Sequence, residues 1–401
     1  MELRKGYQQT EVGAIPEDWI IVKLGELIEF KNGLNKEKKY FGYGTPIINY
    51  MDVFRQRGLY STQIYGKVFL TRGEINAYQA KKGDLFFTRT SETVDEIGIS
   101  SVLLDDSNDT VFSGFVLRGR EKNDKLNNEF KKYCFSEREV RKQIISSASY
   151  TTRALTNGRL LSQILLKVPT IAEQKAIANA LSDMDALISS LEQLIEKKKA
   201  IKLGAMQELL KPKEGWVTKK LGEIVEYKNG KAHENSVVDD GDFIIVNSKF
   251  VSTEGEVVKY SNSNLCHVAK DEILMVLSDV PNGRAIAKCF YVRHNNKYTL
   301  NQRICSLKAI TVYPQFLFYI VNRNKYFLSF DDGVKQTNLR NEDVLKCPLN
   351  LPPTIDEQRD IASIILDMEE EITFMEHKLK KLTNQKQAMM QVLLTGKIRL
   401  V

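Results

Sequence analysis

Pro-Thr-Ile-Ala-Glu-Gln, residues 169–174, returns as Pro-Thr-Ile-Asp-Glu-Gln at residues 353–358, and the two stretches mark the start of the longest repeated segment in the chain. From there the copies align without a gap to Leu209-Leu210 and Leu393-Leu394, at a constant offset of 184 positions. The threonine and glutamate of each copy form a capping box, in which the hydroxyl accepts a bond from a free backbone N–H and the carboxylate reaches back. Each copy therefore predicts the start of a helix of about 40 residues, roughly 60 Å long.

The apolar residues after each start alternate in steps of four and three, which is typical of a coiled-coil seam. In the first helix the seam residues are Ile177, Leu181, Met184, Ile188, Leu191, Ile195, Ala205 and Leu209. In the second they are Ile361, Ile365, Met368, Ile372, Met375, Leu379, Leu382, Met389 and Leu393. Lys202 and Lys386 also fall on the seam, and Lys198 stands where the second copy has Leu382. Such lysines are tolerated because the stem packs while the ammonium reaches water.

Neither helix is stable alone with an exposed apolar stripe, so we expect the two to pack on each other. The short linker at residues 211–216 favours antiparallel over parallel pairing, because it cannot easily return the chain along the full helix. A generic dimerising coiled coil explains the heptads equally well, but not why two unlike segments are interposed at matching points. The residues that we expect to act as spacer or partner-binding positions are Leu181, Met184, Ile188, Leu191, Ile195, Ile365, Met368, Ile372, Met375 and Leu379.

A second repeat lies ahead of each long helix. The only two tryptophans, Trp19 and Trp216, stand 197 positions apart, and residues 24–33 (LGELIEFKNG) match residues 221–230 (LGEIVEYKNG). Residues 34–160 and 231–345 share almost no sequence. We therefore predict an α+β protein with an internal pseudo-twofold repeat, in which two α/β domains are separated by two long helices packed as an antiparallel coiled coil. The tryptophans are expected to be structural anchors of the repeated frame.

The composition is that of a soluble protein with more than one domain. The chain has 401 residues, of which 42% are hydrophobic and 27% are charged. It has no apolar run near the roughly 20 residues that span a bilayer, and its N-terminus lacks the apolar core of a signal peptide. The five cysteines are scattered and not spaced as a metal or redox pair. We expect a cytoplasmic, metal-free protein with reduced, mostly buried thiols.

The net charge of +7 is distributed in acid-free stretches. Residues 53–73, 141–172 and 280–330 contain arginine and lysine but neither aspartate nor glutamate. Basic surfaces of this kind neutralise phosphates and release counterions. Chance clustering on solvated faces explains any single stretch about as well, but their presence in both unlike segments favours nucleic-acid binding.

Two polar loops precede the long helices, at residues 146–157 and 332–340. They are rich in Arg, Lys, Asn, Gln and Thr, the side chains that read base edges in the major groove. The alternative is that they are only solvated connections. The candidate DNA-binding residues are Arg55, Arg57, Arg89, Thr152, Arg153, Asn157, Arg159, Arg284, Lys288, Arg303, Lys335, Gln336, Asn338 and Arg340.

Signatures of catalysis are missing from the sequence. It contains no glycine-rich phosphate loop ending in Gly-Lys-Ser/Thr and no glycine fingerprint for a nucleotide. The four histidines are dispersed without zinc spacing. The sequence therefore predicts a protein that binds rather than catalyses, with no catalytic residue and no cofactor of its own.

The ordered set of repeated blocks resembles the specificity subunit of type I restriction–modification systems. The blocks are the opening at residues 13–19 (GAIPEDW), the two KLGE segments, the two helix starts and the closing residues 393–400 (LLTGKIRL). The resemblance implies target-recognition domains at residues 1–160 and 213–345, and conserved helical regions at residues 161–212 and 346–401. Each recognition domain would read one half of a bipartite site in double-stranded DNA, and the helices would act as a ruler for the spacer.

The resemblance also implies partners. A subunit of this kind is not catalytic but recruits two adenine-methyltransferase subunits, which bind S-adenosylmethionine. In the full assembly it also recruits two restriction subunits, which are translocase–nucleases that use ATP and Mg²⁺. Because recognition domains vary between members, our candidate base contacts are based on charge and position and not on the resemblance. The competing interpretation is a non-catalytic coiled-coil adaptor between proteins.

Overall fold

The computed structural model describes residues 4–107, 109–150, 152–233, 235–280 and 283–401. The chain forms two compact units, one made of Met1–Gln193 with His377–Val401 and the other of Leu194–Glu376. Each unit combines one globular α/β part with a portion of both long helices. We call them the first and the second unit.

The globular part of the first unit contains fifteen strands and six short α-helices among the described residues. The strands are β1 (Tyr7–Thr10), β2 (Gly13–Pro16), β3 (Ile20–Lys23), β4 (Ile28–Asn32), β5 (Phe41–Ile48), β6 (Gly58–Leu59), β7 (Lys67–Val68), β8 (Leu85–Thr88), β9 (Thr90–Ser91), β10 (Ser100–Leu103), β11 (Val111–Phe112), β12 (Val116–Glu121), β13 (Ser149–Tyr150), β14 (Ala154–Leu155) and β15 (Leu165–Val168). The helices are α1 (Leu24–Leu27), α2 (Tyr50–Arg55), α3 (Arg72–Tyr78), α4 (Asn128–Cys134), α5 (Arg138–Ser147) and α6 (Gly158–Leu161), with 3₁₀ turns at Lys38–Tyr40, Ser61–Gln63 and Val94–Glu96.

The main sheet of this unit has the order β4-β12-β8-β10-β6, and smaller sheets are β11-β5-β7, β13-β14-β9, β15-β3 and β1-β2. Strand β8 lies at its centre and is buried along its whole length, as the apolar run after Gly83 predicts. Its neighbours β12 and β10 both run antiparallel to it. Because β8 is held in the middle of the buried sheet, the position of Arg89, the residue that follows it, is set by the core.

The second unit repeats this plan with a shorter sheet. Its strands are β16 (Val217–Lys220), β17 (Val225–Asn229), β18 (Phe243–Val246), β19 (Tyr260–Ser261), β20 (Ile273–Val276), β21 (Ser278–Asp279), β22 (Cys289–Tyr291), β23 (Tyr298–Leu300), β24 (Ile304–Ala309), β25 (Thr337–Asn338) and β26 (Pro348–Leu351). Its short helices are α8 (Ser248–Ser252), α9 (Pro314–Val321), α10 (Lys325–Leu328) and α11 (Asn341–Leu345), with a 3₁₀ turn at Leu221–Glu223. We label the long helices α7 (Ile171–Leu209) and α12 (Ile355–Leu393), of 39 residues each.

The sheets of the second unit are β17-β24-β20-β22, β19-β18-β23, β21-β25 and β16-β26. Strand β20 takes the central place of β8, next to β24 in the place of β12. Residues 128–133 and 313–320 each suggest, from their sequence, a helix just before the polar loop, and this helix is present as α4 in one unit and α9 in the other. A further helix, α5 or α10, follows before the loop and was not predicted.

The long helices run antiparallel where they meet within each unit. In the second unit, Lys198 Nζ lies 2.7 Å from Glu371 and Lys202 Nζ lies 3.2 Å from Glu369. The residue numbers of the partners on α12 therefore decrease as those on α7 increase. In the first unit, Lys386 pairs with Asp185. The predicted α+β fold with an antiparallel coiled coil and an internal repeat is confirmed. The seam lysines are paired with acids, which explains why the seam tolerates them.

The predicted seam residues are covered by the helix pairing and the globular parts. Leu181, Ile195 and Ile365 are at most 3% exposed. The remaining seven are buried or half-buried: Met184, Ile188, Leu191, Met368, Ile372, Met375 and Leu379. Their burial within the chain accounts for their apolar character, and a role in binding a partner stays a prediction.

The start of each long helix anchors it to the tryptophan of the same unit. Thr170 caps α7 as predicted, with its hydroxyl 3.3 Å from the N–H of Glu173. The other half of the predicted capping box is wrong, because the Glu173 carboxylate instead accepts bonds from Trp19 Nε1 at 2.7 Å and from Arg399 Nε at 2.6 Å. Trp216 donates to the corresponding glutamate, Glu357, at 3.2 Å. The tryptophans are therefore anchors of the frame.

Glutamine completes each anchor. Gln174 accepts from the N–H of Asn127 at 2.7 Å and donates to the carbonyl of Pro169 at 2.9 Å. Gln358 makes the same pair of bonds, to the N–H of Tyr313 and the carbonyl of Pro352. The Glu-Gln pair of the repeated motif therefore ties the helix to the globular part.

Two further features of the described residues are general. All five cysteines are buried with free thiols, as expected. No helix in the described ranges is both long enough and apolar enough to cross a membrane.

Candidate nucleic-acid interface

In the first unit, the polar loop folds back against the end of the central strand. Strand β14 pairs with β9, placing Leu155 opposite Thr90 and Ala154 opposite Ser91. The N–H of Thr156 donates to the carbonyl of Arg89 at 3.0 Å. We call β9, β13, β14 and the described residues of their connection the first ridge; Thr151 of the predicted loop lies outside the described residues.

The second unit builds the same ridge from a different sequence. Strand β25 pairs with β21, placing Asn338 opposite Ser278 and Thr337 opposite Asp279. The N–H of Leu339 donates to the carbonyl of Leu277 at 2.8 Å, as Thr156 does to Arg89. We call β21, β25 and residues 335–336 the second ridge. The two loops therefore correspond residue by residue, although their sequences do not.

This correspondence aligns the candidates chosen from the two loops. Thr152 and Arg153 occupy the positions of Lys335 and Gln336, and all four side chains are exposed. Asn338, also exposed, takes the position of Leu155. The two ridges thus present different hydrogen-bonding groups from equivalent backbone positions.

Several candidate side chains on the ridges have contacts of their own. Arg153 lies 3.9 Å from Glu92, an exposed pair that contributes little to stability. Gln336 donates to the Ser278 hydroxyl at 2.7 Å, which orients its amide. Arg89 is half-buried and donates to the carbonyl of Gly114 at 3.4 Å. The bond to Ser278 therefore orients the Gln336 amide, whereas the Arg153 guanidinium is only weakly held.

Two candidates at the ends of the loops occupy helix N-caps. The Asn157 side chain accepts from the N–H of Leu160 at 3.0 Å and so caps α6. Arg340 is the N-cap of α11, but its side chain is exposed and makes no cap bond. Arg159, in the first turn of α6, is also exposed. Asn157 thus has a structural role that explains its presence, whereas the two arginines are available to a ligand.

Besides Arg89 and Arg159, five candidates lie outside the two loops. Arg55 is exposed at the end of α2, whereas Arg57 donates to Met390 Sδ at 3.3 Å and lies over the Tyr133 ring. Lys288 donates to Glu254 at 3.0 Å and to the Ser252 carbonyl at 3.1 Å.

Arg284, also outside the loops, is exposed, and its carbonyl accepts a bond from Arg323 at 3.1 Å. Arg303, in contrast, stands beside the second ridge, because its carbonyl accepts a bond from Leu277 at 2.9 Å. The acid-free stretch at residues 280–330 is therefore partly neutralised by acids from elsewhere in the chain, such as Glu254.

A cleft of about 400 Å³ flanks the first ridge, and most of its lining residues were not among the candidates chosen from the sequence. Its lining residues are Tyr50, Met51, Phe54, Thr90, Ser91, Glu92, Glu96, Phe115 and Arg153. Tyr50 and Phe54 stack with ring centroids 5.7 Å apart, and the Phe115 side chain is 63% exposed. Among the aromatic lining residues, only Phe54 carried a signal in the sequence, because it lies among the arginines of the basic stretch at residues 53–73.

A repeated polar triad ties each globular part to the helix seam. Tyr133 donates to Asp185 at 2.7 Å, and Asp185 also pairs with Lys386. Burial and the nearby Asp185 carboxylate raise the pKa of the Tyr133 hydroxyl, so it remains a donor at neutral pH. In the second unit, Tyr319 donates to Glu369 at 3.0 Å, and Glu369 pairs with Lys202. The triad therefore joins the ridge-bearing part of each unit to the helix seam.

No group of metal-ligating side chains occurs among the described residues. The arrangement on both ridges offers donors, acceptors and apolar groups on a supported backbone, which can recognise a ligand by shape and hydrogen bonding.

The chain belongs to the family defined by the type I restriction modification DNA specificity domain, whose model matches residues 16–202 and again residues 213–384. The putative type I restriction enzyme MjaX specificity subunit of Methanocaldococcus jannaschii is 24% identical over 98% of this chain and 97% of the relative. The MjaVIII specificity subunit of the same organism is 26% identical over 49% of this chain and 47% of its own length. The family resemblance in the sequence is confirmed.

Solved structures share the fold over the whole chain. An S subunit of a type I restriction–modification system from M. genitalium has a TM-score of 0.56, with 16% identity and 98% of both chains covered. A chain from a study of complex assembly and conformational transition of the type I R-M system has a TM-score of 0.58, with 13% identity and 96% and 99% covered. The prediction of a DNA-specificity subunit rather than an enzyme agrees with these relatives.

Proposed function

We propose that this chain is the non-catalytic specificity subunit of a type I restriction–modification enzyme and reads a bipartite site in double-stranded DNA. One half-site is read by the first ridge and the other half by the second. The observation that carries this proposal is the pair of equivalent ridges whose backbones match and whose exposed side chains differ. Two unlike readers on one repeated frame call for an interrupted, asymmetric sequence.

The partners follow from the same proposal. Two methyltransferase subunits would bind S-adenosylmethionine and modify adenine, and two restriction subunits would use ATP and Mg²⁺. The support is the naming of the relatives as specificity subunits and the assembly in which a structural neighbour was studied. In this division of labour the chain supplies sequence recognition and the partners supply every chemical step.

The domain boundaries are proposed in the same terms. Residues 1–160 and 213–345 are the target-recognition domains, and residues 161–212 and 346–401 are the helical regions. The ridges lie inside the first two ranges, and each long helix lies entirely inside one of the other two.

Methylome sequencing of a host that carries this chain with its methyltransferase partner tests the proposal. The expected result is one interrupted motif with an adenine methylated in each half. The triple variant K335A/Q336A/N338A should alter only one half of that motif, and T152A/R153A only the other. A continuous motif, or loss of specificity in both halves from either variant, would contradict the assignment of one ridge to each half-site.

The ruler role of the helices is a separate proposal. Each helix of 39 residues is about 58 Å long at 1.5 Å per residue. Removing one paired heptad from both helices keeps the seam register and should change the spacer while leaving both half-sites unchanged. An unchanged spacer in the methylome would remove this role from the helices.

A further inference from the structure

One position in the two units stands at an identical tight turn but carries side chains of opposite chemistry. In the first unit, the N–H of Val116 bonds to the carbonyl of Ser113 at 3.1 Å, closing a turn over Gly114-Phe115. In the second, the N–H of Ile304 bonds to the carbonyl of Asn301 at 3.0 Å, closing a turn over Gln302-Arg303. Phe115 and Arg303 are the third residues of these turns.

The repeated Lys-Asn-Gly motif fixes the two turns in the same place. A Cβ added to Gly33 would lie 2.0 Å from the carbonyl oxygen of Ser113, and one added to Gly230 would lie 2.0 Å from that of Asn301. Single parallel bridges join Leu34 to Ser113 in one unit, and Lys231 to Asn301 in the other. Only glycine permits this close approach, so the frame itself sets the register of each turn.

The third residue of each turn is also tied to its ridge. The carbonyl of Phe115 accepts a bond from the N–H of Arg89 at 3.2 Å, and that of Arg303 accepts one from the N–H of Leu277 at 2.9 Å. Phe115 lines the cleft together with Thr90 of β9 and Arg153. Both side chains are exposed, although the same turn places a phenylalanine in one unit and an arginine in the other.

An exposed phenylalanine fixed beside a polar ridge has no packing role that explains it. In the major groove, a phenylalanine contacts the methyl group of thymine, and an arginine makes a bidentate pair with guanine O6 and N7. We propose that position 115/303 is a specificity-determining position, at which Phe115 selects a thymine in its half-site and Arg303 selects a guanine in the other. This inference is based on the proposed function and names residues that read the bases.

The competing role for Arg303 is a phosphate contact, which carries no sequence information. The two roles differ in what a substitution changes. Loss of a phosphate contact weakens DNA binding equally on all sequences, and it lowers the number of counterions released on binding by about one. Loss of a base contact relaxes one motif position, on the order of ten- to a hundredfold in discrimination.

The test compares methylomes of hosts that carry the wild-type chain or a variant, each with its methyltransferase partner. F115R should replace an A·T requirement by a G·C requirement at one position of a single half-site. R303F should remove a G·C requirement from one position of the other half-site. Y43R is the matched control, because Tyr43 is also an exposed aromatic of the first unit, at 52%, but does not line the cleft and lies outside the basic stretch at residues 53–73. It should leave the motif unchanged.

The outcomes separate this inference from the function on which it depends. If the wild type gives no bipartite motif, the proposed function fails. If the wild type gives one, and F115R and R303F methylate the same motif as wild type, position 115/303 is not a specificity determinant. Uniformly weaker methylation of an unaltered motif by R303F, with a smaller salt dependence of DNA binding, assigns Arg303 to phosphate and overturns the inference. If F115R gives no methylation at all, R303F decides by the same criteria.

Discussion

Replacing Trp19 by phenylalanine should destabilise the first unit more than the equivalent change at Trp216 destabilises the second. Trp19 is 1% exposed and donates to Glu173, whose side chain is completely buried. W19F leaves that carboxylate with one donor fewer and no access to water. A hydrogen bond to a buried charged group contributes about 1.5–3 kcal/mol.

The second unit supplies the matched control. Trp216 makes the same bond to Glu357 at 3.2 Å, but both residues are half-buried. Water can replace the lost donor there, so W216F should cost only about 0.5–1 kcal/mol for this bond. Both variants lose the same ring atoms. The larger cavity at the buried site adds to the difference in the same direction.

Scanning calorimetry measures the two effects. For a unit of roughly 200 residues, 1 kcal/mol corresponds to about 2–4 °C, so W19F should lower Tm by roughly 3–12 °C. A double-mutant cycle with E173Q then separates the charge-assisted bond from the cavity, because glutamine keeps an acceptor for the indole. If W19F proves no more destabilising than W216F, the buried carboxylate is not the anchor of α7.

Three further changes test local features of the chain. G33A should destabilise by about 1–3 kcal/mol in urea unfolding, because its Cβ would meet the Ser113 carbonyl oxygen at 2.0 Å. Gly204 lies in the interior of α7, and a Cβ added there would meet no atom within 4 Å. G204A should therefore raise the free energy of unfolding by about 0.5–1 kcal/mol. A lower free energy of unfolding would show that this part of α7 is not helical. For the acid of α3, bonds from the Lys36 ammonium and from Thr71 lower the pKa of the Glu74 carboxyl from 4.5 to about 2. The stabilisation from the ionised Glu74 carboxylate is therefore complete above pH 4.5 and is lost as the pH falls towards 2. The difference in Tm between E74Q and wild type should shrink across that range. A difference that stays constant would show that the Glu74 bonds do not stabilise the fold.

The parts of the fold that sequence predicts are those with a strong period or a long apolar run. The 39-residue helices follow from seam spacing, and β8 and β20 follow from buried apolar runs after a turn. The capping box was half wrong because the pattern Thr-x-x-Glu cannot show that an indole 154 positions away reaches the carboxylate first. Contacts of that separation leave no local signal.

The ridges illustrate the same limit at the candidate site. Their strands are two residues long and have no period, so the sequence located the polar loops but not their pairing with β9 and β21. Lys288 was chosen from an acid-free stretch, yet Glu254 reaches it from 34 positions away. Phe115 was missed because an isolated phenylalanine is indistinguishable from a core residue until its exposure is known.

The distribution of repeated and unrepeated residues has a physical reason. Three kinds of repeated residue meet partners that the fold holds in place: tryptophan meets the helix-start glutamate, glutamine meets a backbone N–H, and glycine meets a carbonyl oxygen. A substitution in such a pair leaves a buried partner unsatisfied or overlapping, so the copies cannot diverge there without losing stability. The ridge and turn side chains described above are mostly exposed, and the contacts that they make, such as Arg153 with Glu92 and Gln336 with Ser278, are with side chains beside them. They can therefore differ completely between the units at almost no cost to the fold, which is the condition for one frame to carry two unrelated specificities.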